Sequence, residues 1–554
     1  MARRRRSPRR YAAPTRRAGS VLMGSSPARR RHRRSPGRWI GVLILLLVAG
    51  AAVGGVVLVQ RHRAANDRKR AAARAFAAAW ERRDIRAMYD LAERASRPSL
   101  GAFKRSYAAA DRAAGTRKVV IGRPGALEGG RVQLPVALRT DDFGTLRGTV
   151  TLPTVDEDGH GRIAWSPQLR LPGLRKGERP VRAAGHPPRR GEVLAGDGTV
   201  LANDGTGAGI AGVPAAGGDP ATGLERIYAD RLNGHPSETL RFGKRTIRHV
   251  KAERGRDVHA TIDLALTHTA EAALAGRVGG VAVLKPRSGS VLALAGLAVS
   301  APQPPGSTFK IITLSGALQH HVTSVSESFP IRQYAVLSGV KLHNASDESC
   351  GGALPTAFAE SCNSVFAPMG AKLGAKRLVA TAERFGFNET PNVPAAKPAA
   401  IARDLRDDLA VGAAAIGQDR DLATPLAMAS VGATIANGGV RARPRVVREE
   451  PVRTRRAVRK GVAAQVRDMM IGVVRGGTGT AAALPGVTVA GKTGTAELVP
   501  TQGGASDPKN TDAWFVAFAP AEAPQVAVAV MLVGAGAGGA AAAPVAREVL
   551  AAAL

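Results

Sequence analysis

The chain has 554 residues, enough for two to four domains that each bury a core, so a single small module is excluded. It carries 79 Lys and Arg against 43 Asp and Glu, a formal net charge of +36 that would ordinarily suggest a nucleic-acid partner. Much of this excess lies in residues 1–38, where runs such as ARRRRSPRR have almost no apolar content. We predict a disordered basic tail there, and we expect no nucleic-acid partner because neither a zinc-ligand spacing nor an RNA-binding aromatic motif accompanies it.

An uncharged apolar segment, WIGVLILLLVAGAAVGGVVLV (Trp39–Val59), follows the tail. Its length suits a helix that crosses a hydrocarbon core of about 30 Å, so we expect a single uncleaved signal-anchor. The alternatives are a buried core helix and a signal peptide cleaved after Ala49-Gly50-Ala51. The long basic tail favours a cytoplasmic N-terminus and an extracytoplasmic remainder, although the segment RHRAANDRKR beyond the apolar run is basic too.

Residues 64–175 have the pattern of a small α+β domain. Residues 64–95 predict helix, because Phe76, Trp80, Met88 and Leu91 recur at near-helical spacings. After Gly115, short β-branched runs predict strands: KVVIG, RVQLPVAL, GTVTLPTV and RIAWSPQL. Trp80 and Trp165 are predicted to lie in the core of this domain.

The rest of the chain begins with a Pro- and Gly-rich connector over residues 171–202, with a hairpin turn at Asp197-Gly198. Residues 258–274 predict a helix, and VAVLKPRSGSVLALA (281–295) predicts a hairpin. Three further strand candidates stand near the C-terminus, and VAREVLAAAL predicts a closing helix. The strand candidates are VTVAGKTGT, AWFVAFAP and QVAVAVMLVGAG.

The segment PPGSTFK places Ser307 three residues before Lys310, a spacing of about one helical turn. The same spacing occurs at Ser338–Lys341 and Ser506–Lys509, and a serine at a helix start often serves only as a cap. PPGSTFK continues into an apolar helical pattern, so its serine is predicted at a helix start, where the dipole discourages a charge on the lysine. The second pair lies in an extended pattern and the third in a Gly/Pro/Asp loop, so we expect only the first pair to react.

Two more motifs follow in order, SCN at residues 361–363 and KTGT at residues 492–495. The order S-x-x-K, S-x-N, K-T-G is the signature of penicillin-binding proteins and serine β-lactamases. Other segments extend the match: RRGEVLAGDGTVLA, TIDLALTHTAEAAL, VAVLKPRSGSVLALA, AIGQDRDLATPLAMASVGATIANGG, GGTGTAA and AWFVAFAP. Over residues 64–554 the chain therefore resembles class B penicillin-binding proteins, the D,D-transpeptidases of bacterial peptidoglycan, in the branch that begins with an NTF2-like, MecA-type domain.

The resemblance implies an α+β multidomain protein with a single N-terminal transmembrane helix. An NTF2-like domain would occupy residues 64–175 and a short linker or pedestal unit residues 176–257. A serine β-lactamase/transpeptidase-like domain, an antiparallel sheet packed with helices, would occupy residues 258–554 outside the cytoplasm. The expected ligands are peptidoglycan stem peptides and β-lactams, and the expected partners are the cytoplasmic membrane and a SEDS-family glycosyltransferase. No cofactor or metal is expected.

The resemblance also assigns roles around the nucleophile. Ser307 would attack the stem peptide and Lys310 would accept its proton. Ser361 would relay a proton to the leaving amine, and Asn363 would hold the amide of the donor stem. The oxyanion hole maps to the backbone N–H groups of Ser307 and Thr495.

The KTGT segment would form the opposite wall of the cleft. In a strand, Lys492 and Gly494 point to one face, and Thr493 and Thr495 point to the other. The resemblance implies that Lys492 attracts the terminal carboxylate of the substrate, helped by the two threonine hydroxyls. Gly494 has no side chain, which lets an acyl group approach the strand backbone.

Cys350 and Cys362 are the only cysteines in the sequence. An extracytoplasmic location permits a disulfide between them, which would tether the loop beside Ser361. The alternative is a pair of buried thiols.

Three functional hypotheses remain open from the sequence. A transpeptidase transfers the acyl group to an amine, a D,D-carboxypeptidase or β-lactamase transfers it to water, and a sensor domain binds β-lactams without turnover. A β-lactamase needs a base for deacylation, and none is identifiable. A sensor would be favoured by further membrane spans and a cytoplasmic signalling domain, and neither pattern is visible. We therefore expect a transpeptidase.

Overall fold

The computed structural model describes residues 37–497 and 510–554, with side chains from Val56 onward apart from Ser346. The chain divides into two units: Met1–Val181 with Leu240–Thr246, and Arg182–Thr239 with Ile247–Leu554. The predicted basic tail up to residue 36 and the pair Ser506–Lys509 lie outside the described residues.

The predicted membrane segment, Trp39–Val59, lies inside a helix that begins at Gly37. Its side chains up to residue 55 are outside the described set. Among the helices whose side chains are described, none is long and apolar enough to span a membrane.

The first unit combines helices with an antiparallel sheet. Its elements are α1 (Gly37–Glu81), α2 (Ile85–Asp90), α3 (Leu100–Ala114), β1 (Thr116–Ile121), β2 (Leu127–Glu128), β3 (Arg131–Thr140), β4 (Thr145–Glu157) and β5 (His160–Ile163). The sheet order is β1-β3-β4-β5, with β2 also paired to β3. Strand β3 buries alternate residues, as the two-residue period of a strand with one covered face requires.

An aromatic cluster fills the core of this unit. Trp80 and Trp165 are both buried, as the sequence predicts. The ring of Phe103 lies 5.0 Å from that of Trp165 and 5.1 Å from that of Tyr107. The predicted helix over residues 64–95 is interrupted after α1, because Arg83 adopts a left-handed conformation and Asp84 caps α2.

Short elements follow over residues 180–259. They are β6 (Pro180–Ala184), β7 (Val193–Leu194), α4 (Ala208–Ala211), α5 (Gly223–Ile227), α6 (Ala229–Asn233), β8 (Glu238–Phe242), β9 (Arg245–Val250) and β10 (Val258–His259). The chain passes from one unit to the other at residues 181–182, 239–240 and 246–247, which lie in β6, β8 and β9.

The second unit continues with helices and strands in alternation. These elements are α7 (Leu264–Leu274), β11 (Gly279–Leu284), β12 (Val291–Gly296), α8 (Lys310–Gln319), β13 (Ser328–Arg332), β14 (Tyr334–Leu337), β15 (Val340–His343), β16 (Cys350–Ala353), α9 (Leu354–Ala359), α10 (Asn363–Leu373), α11 (Ala375–Phe385), α12 (Asp408–Ala415), α13 (Pro425–Ala436), β17 (Val440–Ala442), β18 (Thr454–Arg456), α14 (Lys460–Gly476), β19 (Ala490–Glu497), β20 (Thr511–Ala519), β21 (Val526–Leu532) and α15 (Gly538–Ala553).

A five-stranded sheet of order β12-β11-β21-β20-β19 organises the second unit. All neighbouring pairs are antiparallel. Alternate residues of β20 enter two hydrophobic clusters. Trp514, Val516 and Phe518 join one, and Ala513, Phe515, Ala517 and Ala519 join the other. The sheet therefore lies between two helical layers, which confirms the predicted antiparallel sheet packed with helices, and leaves β19 at an edge.

Helices α10 and α12 approach closely beside the sheet. A Cβ placed on Gly370 of α10 would overlap the Cβ of Ala415 in α12. Both atoms are Cβ atoms attached directly to the backbone, so no rotamer change can relieve the overlap. The position therefore requires glycine for packing.

We expect Gly370→Ala to lower the free energy of unfolding by about 1–3 kcal/mol, the usual cost of overpacking. Gly472→Ala in α14 is the matched control, since a Cβ there meets open space. That change should raise stability by about 0.5–1 kcal/mol, because alanine favours helix. Urea unfolding measures both, and equal stability of the two variants would contradict the packing assignment.

Candidate active site

The predicted nucleophile lies in a tight turn at the start of α8. Residues Gly306–Phe309 form a 3-10 turn that leads directly into Lys310, the first residue of α8. Side chains three residues apart eclipse in a 3-10 turn, so Ser307 and Lys310 share a face. Ser307 is half-buried, whereas Lys310 is completely buried.

Two glycines fix the position of this turn. Gly306 has φ of 52°, and its N–H donates to the carbonyl of Gly417 at 2.9 Å. A Cβ on Gly306 would lie 2.7 Å from the carbonyl oxygen of Thr495, and a Cβ on Gly417 would overlap the carbonyl oxygen of Gly306. The turn is thus held between β19 and the loop after α12 with no room for a side chain at either glycine.

Lys310 points at the SCN motif. Its Nζ lies 2.6 Å from the carbonyl oxygen of Ser361, 2.6 Å from Oδ1 of Asn363 and 3.3 Å from Oγ of Ser361. A neutral amine has two N–H groups for the two short contacts and a lone pair that can accept a proton.

Lys492 reaches the same hydroxyl from β19. Its Nζ donates to Oγ of Ser361 at 2.8 Å and to the carbonyl of Thr493 at 3.1 Å. Lys492 is also completely buried.

Residues 486–493, GVTVAGKT, match the spacing of a P-loop, the phosphate-binding motif between a strand and a helix. Lys492 lies inside strand β19 instead, so the structural context of a phosphate-binding loop is missing.

Burial lowers the pKa of both lysine amines. The pKa of Lys310 falls well below 10.5, first because of burial and then because of the nearby charge of Lys492. Burial lowers the pKa of Lys492 to about 7. Aromatic rings 5.7 Å and 5.5 Å away favour the charged forms, but within the described part of the chain no carboxylate contributes to either shift. Burial therefore dominates, and both amines bind their protons less tightly than an exposed lysine does.

The SCN loop is fixed by several contacts. Ser361 has φ of 67°, a left-handed conformation that is rare outside glycine. Asn363 donates through Nδ2 to the carbonyl of His343 at 2.8 Å. Cys350 and Cys362 form a disulfide, with their Cα atoms 5.4 Å apart. This bond joins the loop to β16.

Three potential metal-binding side chains lie around the SCN loop. The side chains of Cys350, Glu360 and Cys362 lie close enough together to offer three ligands. Both cysteines are in the disulfide, which leaves no thiolate to bind a metal. The donor set therefore does not fit a metal site while the disulfide is intact.

The KTGT strand presents its two faces as alternation requires. A Cβ on Gly494 would lie 2.8 Å from the carbonyl oxygen of Pro305, so this face borders the nucleophile turn. On the other face, the Thr495 hydroxyl accepts from Gly538 N–H at 3.4 Å, and the Thr493 hydroxyl lies 2.6 Å from that of Thr478. The structure therefore brings Lys310, Ser361, Asn363 and Lys492 into direct contact, with the Thr493 and Thr495 hydroxyls on the other face of the strand.

Sequence reasoning missed the contact between Thr478 and Thr493. Thr478 lies in the segment GGTGTAA just after α14, but its partner Thr493 lies on β19, and no local pattern reveals this contact. Ser338 lies at the turn between β14 and β15 with φ of 48°. Its lysine follows on the second strand of that hairpin, so the pair lacks the one-turn geometry.

The lowered pKa of Lys492 predicts that the free energy of unfolding changes with pH. In the unfolded chain its amine keeps a proton up to its ordinary pKa of 10.5, whereas in the folded protein the pKa is about 7. Between these values the unfolded state binds more protons, so the free energy of unfolding rises with pH, by up to about 1.4 kcal/mol per pH unit. Wild type should therefore gain stability relative to Lys492→Met between about pH 7.5 and about pH 9.5.

Urea unfolding at each pH measures this difference. Lys460→Met is the matched control, because it removes an exposed amine at the start of α14. A difference between wild type and Lys492→Met that stays constant with pH would contradict the lowered pKa.

Comparison with known proteins agrees with this geometry. Residues 279–551 match the family model of the penicillin binding protein transpeptidase domain. The peptidoglycan D,D-transpeptidase PbpA of Mycolicibacterium smegmatis is 34% identical over 408 residues, which cover 61% of this chain and 80% of that protein. The protein of the same name from Mycobacterium tuberculosis is 37% identical over 283 residues, covering 46% of this chain and 56% of its own length.

Solved structures give the same result. The D,D-transpeptidase domain of a peptidoglycan glycosyltransferase from Eggerthella lenta has a TM-score of 0.57 at 30% identity, covering 67% of this chain and 99% of that chain. The ceftriaxone acyl-enzyme complex of penicillin-binding protein A from M. tuberculosis has a TM-score of 0.57 at 28% identity, covering 66% of this chain and 98% of that chain. This chain therefore belongs to the penicillin-binding protein transpeptidase family, among the class B peptidoglycan D,D-transpeptidases.

Proposed function

We propose that this chain is a membrane-anchored D,D-transpeptidase that cross-links peptidoglycan stem peptides through an acyl-enzyme on Ser307. The observation that carries the proposal is the convergence of two buried lysine amines on the hydroxyl of Ser361, beside the turn that holds Ser307. The enzyme class follows from the family. Penicillin-binding protein A of M. tuberculosis forms acyl-enzymes with ceftriaxone, imipenem and penicillin G, so β-lactams are expected to acylate this chain too.

Acylation begins when the Ser307 hydroxyl attacks the carbonyl carbon of the penultimate D-alanine. Its proton passes to Lys310, whose lowered pKa favours the neutral amine that can accept it. Negative charge then develops on the carbonyl oxygen. We assign the backbone N–H groups of Ser307 and Thr495 to that charge, since Gly306 packs directly against Thr495.

Collapse of the intermediate breaks the C–N bond and releases D-alanine. The leaving nitrogen needs a proton, which we assign to the Ser361 hydroxyl. That hydroxyl lies between both lysine amines and can be reprotonated by the protonated Lys310. In the second half-reaction the amine of an acceptor stem attacks the ester, and the Ser307 oxygen recovers the proton.

Asn363 is proposed to hold the Lys310 amine and to bind the backbone amide of the donor stem. Its Oδ1 accepts from Lys310 and its Nδ2 donates to His343, which fixes the amide group. One N–H and one lone pair remain, and these suit the backbone amide of the donor stem.

Lys492, Thr493 and Thr495 are proposed to recognise the terminal carboxylate. A carboxylate that arrives near Lys492 raises the pKa of its amine from about 7, so the amine becomes charged when substrate binds. Gly494 keeps the strand edge open to the acyl group, because any side chain there would meet the turn before Ser307.

The proposal extends to the organisation of the chain. The first unit, helices with an antiparallel sheet, supports an NTF2-like domain at residues 64–175. Residues 176–257 would be the linker or pedestal and residues 258–554 the catalytic domain. The apolar segment 39–59 supports a single-pass membrane anchor with the catalytic domain outside the cytoplasm. By resemblance, the glycan-polymerising partner is a SEDS-family glycosyltransferase.

Replacement of the nucleophile tests the chemistry. Ser307→Ala should abolish covalent labelling by a fluorescent penicillin, because it removes the hydroxyl that lies one turn before the buried Lys310 amine. Ser338→Ala and Ser506→Ala are the matched controls and should label like wild type. Labelling of folded Ser307→Ala protein, mapped by peptide mass to another serine, would overturn the assignment.

Protease treatment of intact protoplasts tests the topology. Because a long soluble segment after a signal-anchor is translocated, the residues beyond 64 should be removed without lysis. Protection of these residues until the membrane is lysed would show that the proposed orientation is wrong.

A further inference from the structure

Thr478 joins two walls of the active site. It follows α14, and both its N–H and its hydroxyl lie 3.2 Å from the carbonyl oxygen of Ala359, two residues before Ser361. The same hydroxyl lies 2.6 Å from that of Thr493 on β19. Thr478 therefore connects the segment before the SCN motif to the KTGT strand.

The backbone on either side holds Thr478 in place. A Cβ on Gly477 would lie 2.6 Å from the carbonyl oxygen of Ala359. A Cβ on Gly539, at the start of α15, would overlap the carbonyl oxygen of Thr478. Close packing thus fixes the backbone of Thr478, whereas its side chain is exposed and is held by the two hydroxyl contacts.

A hydroxyl has one proton, so Thr478 can donate either to Ala359 or to Thr493. If it donates to Ala359, Thr493 must donate to Thr478 and has no proton left for a substrate. If it donates to Thr493, the carbonyl of Ala359 keeps the N–H of Thr478, and the Thr493 proton is free. Only the second arrangement lets Thr493 donate to an anion.

We propose that Thr478 is a positioning residue for substrate recognition, which donates to Thr493 and so directs the Thr493 proton toward the terminal carboxylate of a stem peptide or β-lactam. The inference rests on the proposed role of Thr493. Two hydroxyls in series that end on an anion polarise each other, which strengthens the terminal hydrogen bond. Thr478 is therefore not a reacting group and acts only through its neighbour.

The test compares the acylation rate constant for penicillin G with that for its methyl ester, which lacks the carboxylate charge. Thr478→Val keeps the shape of the side chain and removes the hydroxyl. It should slow acylation by penicillin G by about five- to twentyfold, part of the effect of one hydrogen bond to a charged group. Acylation by the ester should change by less than about twofold.

Two controls accompany this variant. Thr478→Ser keeps the hydroxyl and should restore the wild-type ratio of the two rates. Thr480→Val makes the same change at an exposed position two residues further along and should leave both rates unchanged. In a Thr493→Val background, Thr478→Val should cause no further selective loss, because its effect passes through Thr493.

Equal slowing of both substrates by Thr478→Val would show a purely structural role and overturn the inference. A selective loss that persists in the Thr493→Val background would also overturn it, since Thr478 would then act directly. If Thr493→Val slows acylation by penicillin G and by its methyl ester equally, the proposed role of Thr493 is wrong, and the inference about Thr478 is wrong with it. Labelling of Ser307 would still stand in each of these cases, so the failures are distinguishable.

Discussion

Two lysine amines buried around one serine hydroxyl are the constraint on which the rest of the active site depends. Lys310 and Lys492 are completely buried and both lie within hydrogen-bond distance of the Ser361 hydroxyl. Two ammonium groups without a carboxylate would be costly there, so at least one amine must be neutral near pH 7. The site thereby gains a proton acceptor beside Ser307 at the cost of stability, since a buried amine binds its proton less tightly than it does in the unfolded chain.

The fold holds these amines in register from three separate parts of the chain. The sheet places Lys492 on an edge strand, where a substrate can approach the backbone. Gly306 and Gly417 let the nucleophile turn pack without side chains between β19 and the loop after α12. The disulfide joins the Ser361 loop to β16. Each support is backbone or covalent, which suits a site that must not rearrange between acylation and transfer.

The main strands and the active-site motifs could be predicted from the sequence, because each depends on a short stretch of neighbouring residues. The alternation in β3 and β20 predicted strands, and the three motifs in order predicted that Lys310, Ser361 and Lys492 meet. Tertiary contacts outside these three motifs were not predictable. Nothing in the GGTGTAA segment shows that Thr478 meets Thr493, because its partner is on another element. The break at Arg83 was also missed, since arginine favours helix and the cap at Asp84 competes with that preference only weakly in the sequence.

The protonation state of Lys310 is the most direct test of this account. Lysine labelled with carbon-13 at the ε position reports protonation through the chemical shift, and the Lys310 signal can be assigned by its loss in Lys310→Arg. The account predicts a neutral Lys310 near pH 7, with a titration midpoint well below 10.5. An ammonium at Lys310 that persists up to its ordinary pKa would contradict it.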